Sequence, residues 1–269
     1  MKHTDNRKMA EALFGDWEET ILWSCLQGVM GDVFLHENEN GDPIAAAAWL
    51  GDFCLIGGQA DKTMLRDIRL RMKKIGQEFL ILVPKDEAWA DEIEAVFGEK
   101  ARRIVRYAIK KEQDVFDRVK LENAAESLGG EYELRVIDEK LYDACLKESW
   151  SHDLVSNFAD YETYKKLGLG IAAVKDEHLV AGASSYSVYN GGLEIEIDTK
   201  QEFRRRGLAY ACGARLILEC LDRGLYPSWD AHNRQSVALA EKLGYHFDYE
   251  YMAYEVSIER QNDKSKKKR

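Results

Sequence analysis

The same order of secondary structure occurs twice along this chain, and this repeat limits its fold more than any other feature. In the C-terminal half, the run "LEIEIDT" predicts a strand that is followed by a long helix, the short strand "YPSWDA", the helix "NRQSVALAEKLG" and a last strand, "YHFDYEYMAYEV". The N-terminal half has the strands "FCLIGG", "EFLILVP" and "ARRIVRYAIKK", again separated by two helices. Strands that alternate with helices indicate a mixed α/β (α+β) fold. The order alone leaves two explanations open, a duplicated unit and two unrelated segments.

A glycine pair, Gly129-Gly130, follows a polar stretch and predicts the boundary between two domains. The chain has 269 residues, which exceeds a typical single domain. We therefore expect an N-terminal domain over residues 1–128 and a second domain over residues 131–260. The run "KSKKKR" carries five positive charges, so residues 261–269 are expected to form a disordered basic tail.

The composition limits the partners, the location and the metal sites that we expect for this protein. The net charge of −10 argues against a nucleic-acid-binding protein and suits a cationic substrate such as an amine. No apolar run approaches the ~18 residues that span a bilayer, and the N-terminus lacks an apolar signal core, so we expect neither a membrane partner nor export. The five cysteines have no Cys-x-x-Cys spacing, which favours a reducing, cytoplasmic location. The six histidines are scattered, so no metal site is expected.

Three arginines stand directly before a glycine in "FRRRGLAYACGARLILECL", between a predicted strand and a predicted helix. A helix N-terminus exposes unpaired N–H groups and partial positive charge, which together favour an anion such as phosphate. Gly207 and the small Ala209 would let a ligand approach the backbone, and Arg205 and Arg206 could add charged hydrogen bonds. A solvated basic helix start explains the same residues, and this alternative stays open on the loop alone.

A second tract lies about 25 residues further on. The stretch from Asn233 to Tyr245, "NRQSVALAEKLGY", together with the Arg-x-x-Gly-x-Ala of Arg204–Ala209, resembles the two main motifs of the GNAT acetyltransferase superfamily. The resemblance covers roughly residues 132–255. It implies two GNAT-like halves, each with a mixed, mostly antiparallel sheet flanked by helices, of which the N-terminal half is degenerate. The chain looks most similar to a bipartite branch that includes the zwittermicin A self-resistance acetyltransferase, which would imply a role in antibiotic resistance.

The resemblance implies an acetyl-CoA-dependent N-acetyltransferase with a small-molecule amine as acceptor. Arg204 would brace the loop, while backbone N–H groups of the following residues bind the pyrophosphate. The residues that it places on CoA are Ile197, Asp198, Thr199, Arg204, Arg205, Arg206, Gly207, Leu208, Ala209, Asn233 and Ser236. For Asn233, capping of the next helix is an equally good explanation. The first half has "GGQADKTML" at the corresponding place and lacks the motif, so we predict one CoA site and not two.

A carboxylate is the expected general base for the acceptor amine. Strand periodicity places Glu194, Glu196 and Asp198 on one face of "LEIEIDT", and a solvent-facing edge would explain the same pattern. The catalytic candidates are Glu196 first, then Glu194, with Asp230 as a third.

One position departs from the family. The tyrosine that often serves as the general acid is replaced by Ala240. This keeps a second hypothesis open, a CoA-binding regulatory or interaction protein with lost turnover. The N-terminal half is expected to form a wall of the acceptor pocket or to mediate contacts in a homodimer.

Overall fold

The computed structural model describes residues 1–258, and their contacts divide the chain into two compact units. Unit 1 comprises Met1–Val105 and the segment that begins at Met252, and unit 2 comprises Arg106–Tyr251. Both divisions fall inside strands, so two strands continue from one unit into the other. The predicted tail, residues 261–269, lies outside the described residues.

Unit 1 is a sheet with helices. Its strands are β1 (Lys2–His3), β2 (Asp32–Glu37), β3 (Pro43–Leu50), β4 (Phe53–Gly58), β5 (Phe79–Pro84) and the first part of β6 (Ala101–Ile109). Its helices are α1 (Arg7–Phe14), α2 (Thr20–Gln27), α3 (Lys62–Ile75) and α4 (Glu87–Phe97). The first four strands pair antiparallel in chain order, and β4 pairs parallel with β5. The amphipathic helix α3 buries four side chains against this sheet: Met64, Leu65, Ile68 and Met72.

Unit 2 contains a second sheet. The strands of unit 2 are the last part of β6, β7 (Glu133–Val136), β8 (Gly170–Lys175), β9 (His178–Tyr189), β10 (Gly192–Thr199), β11 (Tyr226–Ser228), β12 (Asp230–Ala231) and the first part of β13 (Phe247–Ser257). Its helices are α5 (Arg118–Ala125), α6 (Glu139–Lys147), α7 (Tyr161–Leu167), α8 (Leu208–Asp222) and α9 (Arg234–Leu243). Five strands form a sheet in the order β11-β10-β9-β8-β7, in which only the β10–β11 pair is parallel. The predicted fold class, a mixed and mostly antiparallel sheet flanked by helices, is confirmed.

The compact units divide at points other than the predicted boundary at Gly129-Gly130. Helix α5, which precedes that glycine pair, packs on α8 and buries Leu121 and Ala124. An ion pair of 2.6 Å between Arg118 and Asp222 joins the same two helices. In addition, the last part of β13 pairs with β5, so the final strand of the described chain completes the sheet of unit 1. These contacts place the segment before the glycine pair with unit 2.

Candidate active site

The strands β10 and β11 separate after three residue pairs. Their parallel register ends at Glu194 and Ser228, and the chain then passes through Trp229 into β12, where Asp230 pairs with Ala108 of β6. The residues from Ile195 to Thr199 keep β9 as their strand partner. The opposite edge of this segment therefore offers backbone N–H and C=O groups to which an extended ligand could add as a strand.

The two faces of β10 have different chemistry, as the strand periodicity predicts. Ile197 faces α8, since its Cδ1 lies 3.1 Å from the place where a Cβ on Gly213 would stand. On the opposite face, Glu196 and Asp198 are only partly exposed. Asp153, in the 3₁₀ turn His152–Leu154, adds a third negative charge that acts on both. The acidic face is therefore largely sheltered and differs from the solvent-facing edge left open by the sequence.

Burial and mutual repulsion raise the pKa of two of these carboxyls. Burial, followed by the charges of Asp198 and Asp153, raises the pKa of Glu196 to about 8, although Arg106 and the N–H of Ile197 oppose the rise. Burial and Asp153 raise the pKa of Asp198 to about 6, against the effect of Arg204. A carboxyl with a pKa near neutrality can both accept and release a proton at physiological pH, which suits a general base.

Glu194 has a different environment from Glu196. It is buried, at 5% exposure, and stands in register with Ser187 of β9 and Ser228 of β11. Its charge also contributes to the raised pKa values of nearby tyrosines, after the effect of burial on each: Tyr189, Tyr226 and Tyr245. Glu194 thus lies inside unit 2 at the last β10–β11 pair, whereas Glu196 lies just past the separation.

Asp230 is held by two neighbours. Its Oδ1 accepts a hydrogen bond of 2.7 Å from the Nε of Arg106, and its Oδ2 accepts one of 2.8 Å from the hydroxyl of Tyr251. The Arg106 side chain is 9% exposed. Burial opposes the charge on Arg106, but Asp230 and Tyr251 outweigh this effect and raise its pKa. Because both carboxylate oxygens are engaged, the geometry favours a structural role for Asp230 over proton transfer.

The arginine-rich loop makes a tight turn into α8. Arg205 and Gly207 have φ values of 61° and 82°, so two left-handed residues turn the chain into α8. Gly207 is the N-cap of α8, and a Cβ placed on it would meet nothing within 4 Å. The glycine is therefore needed for its backbone conformation, and the space beside the helix N-terminus is open. The Nε of Arg204 donates to the carbonyl of Thr199 at 3.2 Å, which ties the loop to the end of β10.

The next two arginines differ in what holds them. Arg206 donates to the Tyr132 hydroxyl and to the Glu202 carbonyl, each at 3.2 Å, and its guanidinium lies over the Phe203 ring. The Arg205 side chain is exposed, and it has no hydrogen-bond partner among residues 1–258. Arg206 is thus bound within the loop region and Arg205 is not, while contact of either arginine with phosphate stays a prediction.

The corresponding helix of unit 1 begins with a carboxylate. Asp61 is the N-cap of α3, where its Oδ1 accepts a hydrogen bond of 2.7 Å from the N–H of Thr63, and its Oδ2 contacts His36. An acidic cap occupies the place in which a phosphate would bind, and its charge repels an anion. Gly207 leaves the same place open in unit 2, and a single CoA site stays a prediction.

Asn233 and Ser236 are both bonded within unit 2. The Oδ1 of Asn233 caps α9 by accepting from the N–H of Ser236 at 2.9 Å, as the capping explanation predicts. The Oγ of Ser236 accepts from the indole N–H of Trp229 at 3.1 Å. Ala240, where the resemblance to the acetyltransferases leads us to expect a tyrosine, is fully buried. The site therefore has no phenol at this position of α9.

Two charged neighbours of Glu196, Asp153 and Arg106, come from segments that no motif connects to β10. Along the chain, Asp153 precedes Glu196 by about forty residues and Arg106 precedes it by about ninety. Neither carries a spacing or composition signal, so only the fold identifies them. Among residues 1–258, no three metal-binding side chains are grouped to hold an ion, and no helix is long and apolar enough to cross a bilayer.

Comparison with known proteins assigns the family. The family model described as GNAT acetyltransferase matches residues 11–254. The crystal structure of a GCN5-related N-acetyltransferase-like protein from Streptococcus suis 89/1591 superposes with a TM-score of 0.86 at 44% identity, covering 93% of this chain and 98% of that protein. A GCN5-related N-acetyltransferase from Kribbella flavida shares the fold, with a TM-score of 0.57 at 11% identity over 87% of this chain and 91% of that protein.

A curated relative matches over a shorter segment. The uncharacterized N-acetyltransferase YdfB of Bacillus subtilis strain 168 is 36% identical over 113 residues, which are 39% of this chain and 43% of YdfB. The chain thus spans less than half the length of this relative. The match of the family model, by contrast, extends through both units. The chain belongs to the GNAT family of acetyltransferases.

Proposed function

We propose that unit 2 transfers an acetyl group from acetyl-CoA to the amine of a small molecule, by direct attack of the amine on the thioester. One observation carries this proposal. Glu196, with its pKa raised to about 8, lies just past the point at which β10 and β11 separate. A base of suitable strength therefore stands beside an open strand edge.

The residues present fit CoA as the acetyl donor. The open N-terminus of α8, with Gly207 as its cap and Arg205 beside it, suits the pyrophosphate. The free edge of Ile197–Thr199 suits the pantetheine arm, which carries amide groups that can pair with a strand. The tie between Arg204 and Thr199 would keep the two subsites at a fixed spacing. When bound, acetyl-CoA would supply the activated acyl group.

The acidic face would select and activate the acceptor. Asp153 and Asp198 add negative charge beside Glu196, and this charge favours a cationic amine. Glu196 would accept the proton that the amine loses as its nitrogen bonds to the acetyl carbon. The carbon–sulfur bond breaks in the same reaction, and sulfur leaves with the bonding electron pair. Thiolate is a good leaving group, so the phenol missing at Ala240 need not prevent turnover.

The test is an acetyl-transfer assay with the full chain. Acetyl-CoA and a panel of amines are incubated with the protein, and free thiol and acetylated product are measured. The panel includes diamines and aminopolyols, the latter because of the resemblance to self-resistance enzymes. The matched control is Glu162→Gln, which changes one exposed carboxylate on α7 in the same way. Product formation by wild type and Glu162→Gln, but not by Glu196→Gln, supports the proposal.

A second function is favoured by one observation. Ala240 is buried in α9 where the family's general acid would stand, and a protein without an acid could bind CoA and release no product. CoA binding by calorimetry without turnover on any amine of the panel would favour this regulatory function. Failure to bind CoA at high micromolar concentration would refute both functions.

Two further properties belong to the proposal. A cytoplasmic location is supported by the five cysteines, all of which are buried free thiols. A homodimer remains a prediction that sedimentation of the purified chain would test.

A further inference from the structure

A groove of about 410 Å³ runs along helix α5 and reaches Tyr210 of α8. Its size lies within the range of ~300–1,000 Å³ that is usual for small-molecule sites. Lys120, Asn123 and Ser127 supply polar groups along it, and Ala124 supplies apolar surface. Val119, which is 66% exposed, adds a large apolar side chain at its rim.

The groove begins next to the anion site of α8. Tyr210 follows Gly207 by three residues, so it lies in the first turn of α8, a rise of about 4.5 Å along the helix. The segment after α5 also lies near the N-terminus of α8. Its Tyr132 hydroxyl accepts a hydrogen bond from Arg206, in the loop that precedes α8. A molecule with its diphosphate at the N-terminus of α8 would therefore extend its next group toward this groove.

The lining side chains suit an adenine nucleotide. The Nζ of Lys242 lies 3.8 Å from the centre of the Tyr210 ring, and the other face of that ring can stack on a planar base. The amide of Asn123 offers the donor and acceptor pair that recognises the adenine edge. Lys120 supplies a cation on the exposed surface of α5. The carboxylate of Asp117 is already used as the α5 cap, on the N–H of Lys120 at 3.1 Å.

We infer that α5 and Tyr210 bind the 3′-phosphoadenosine end of CoA, with adenine on Tyr210 and Asn123 and the 3′-phosphate near Lys120. This inference rests on the proposed function, because it assumes that CoA is the ligand of the α8 N-terminus. It assigns a ligand-binding role to a helix that precedes the strand β7 and lies outside both GNAT motifs. The segment between the two repeated halves would thus contribute to the site.

Calorimetry with two ligands tests the inference. CoA and dephospho-CoA, which lacks only the 3′-phosphate, are titrated into the full chain and into Lys120→Ala. We expect wild type to bind CoA about tenfold more tightly than dephospho-CoA, because a charged hydrogen bond is lost. The Lys120→Ala variant should bind both ligands equally. Lys165→Ala, which removes an exposed lysine of α7, is the matched control and should keep the wild-type preference.

A second variant tests the adenine. Tyr210→Ala should weaken the binding of CoA and of dephospho-CoA by the same factor of about ten, since base stacking is lost, while Tyr210→Phe should bind as wild type does. Equal affinity of wild type for the two ligands, or a preference that persists in Lys120→Ala, would overturn the inference while leaving CoA binding intact. Absence of CoA binding by wild type would instead refute the proposed function. If Tyr210→Ala fails to fold, the inference is decided by whether Lys120→Ala loses the preference for CoA over dephospho-CoA, since Lys120 is exposed.

Discussion

Replacement of Glu196 by glutamine tests whether this carboxylate is catalytic or only buried. The side chain keeps its shape but cannot accept a proton, so kcat should fall by roughly 10²- to 10⁴-fold, the usual contribution of a general base. Affinity for CoA should stay unchanged. In wild type, kcat/KM should rise with pH toward a plateau above about pH 8, as Glu196 ionises. Because Asp198 is coupled to Glu196, the apparent pKa belongs to the pair.

The same substitution changes stability in a way that depends on pH. The pKa of Glu196 is about 8 in the folded chain against an ordinary value of 4.5, so the folded state binds more protons between these values and the free energy of unfolding falls as pH rises. The full difference corresponds to at most about 5 kcal/mol at 1.36 kcal/mol per unit. Water penetration and a high effective dielectric reduce this loss of stability, and we expect the free energy of unfolding to fall by about 1–2 kcal/mol.

Urea denaturation at pH 5 and pH 9 measures this effect. Glu196→Gln should be more stable than wild type by about 1–2 kcal/mol at pH 9, and close to wild type at pH 5, where the folded wild-type carboxyl is neutral. The exposed Glu122→Gln on α5 should show no such difference between the two pH values. Equal stabilities of Glu196→Gln and wild type at pH 9, together with undiminished kcat, would refute the assignment of Glu196.

Three other substitutions have expected outcomes. Asp230→Asn should lower the free energy of unfolding by about 2–4 kcal/mol in denaturant titrations, because it removes the negative charge that is paired with the buried Arg106; an unchanged stability would contradict the structural role. Ala240→Tyr should destabilise by about 1–3 kcal/mol, since the position is fully buried; a gain in turnover without loss of stability would show that α9 accepts the phenol. Ser228→Ala should keep or raise the melting temperature, since the buried Oγ has no partner among residues 1–258, and a clear fall would indicate a hydrogen bond through water.

Local patterns in the sequence predict the fold class and the turn of the chain into α8. The period-2 alternation of "LEIEIDT" places Ile197 against α8 and the acids on the other face, as the structure does. The strand, loop and helix order around Gly207 follows from turn and helix signals alone. These features depend on neighbours in the chain, which is why pattern and propensity are sufficient to predict them.

Features that depend on distant segments could not be predicted in this way. The raised pKa of Glu196 comes first from burial in the folded chain and then from the charges of Asp198 and the distant Asp153. The engagement of Asp230 requires Arg106 and Tyr251. The compact units divide inside β6 and β13, whereas the glycine pair Gly129-Gly130 predicts a boundary between them in the sequence. The left-handed Arg205 is also unexpected, because propensity assigns such a backbone conformation to glycine.

A calorimetric titration of CoA into three proteins tests the central claim, a single CoA site at the N-terminus of α8. These are wild type, Gly207→Asn and Gly207→Asp, since asparagine and aspartate tolerate the left-handed backbone best. Aspartate adds a carboxylate beside the N-terminus of α8, where α3 carries that of Asp61. We predict one CoA per wild-type chain and affinity at least about tenfold lower for Gly207→Asp than for Gly207→Asn, because only aspartate adds a negative charge beside the phosphates. Two CoA molecules per chain, no binding, or equal affinities of the two variants would contradict the account.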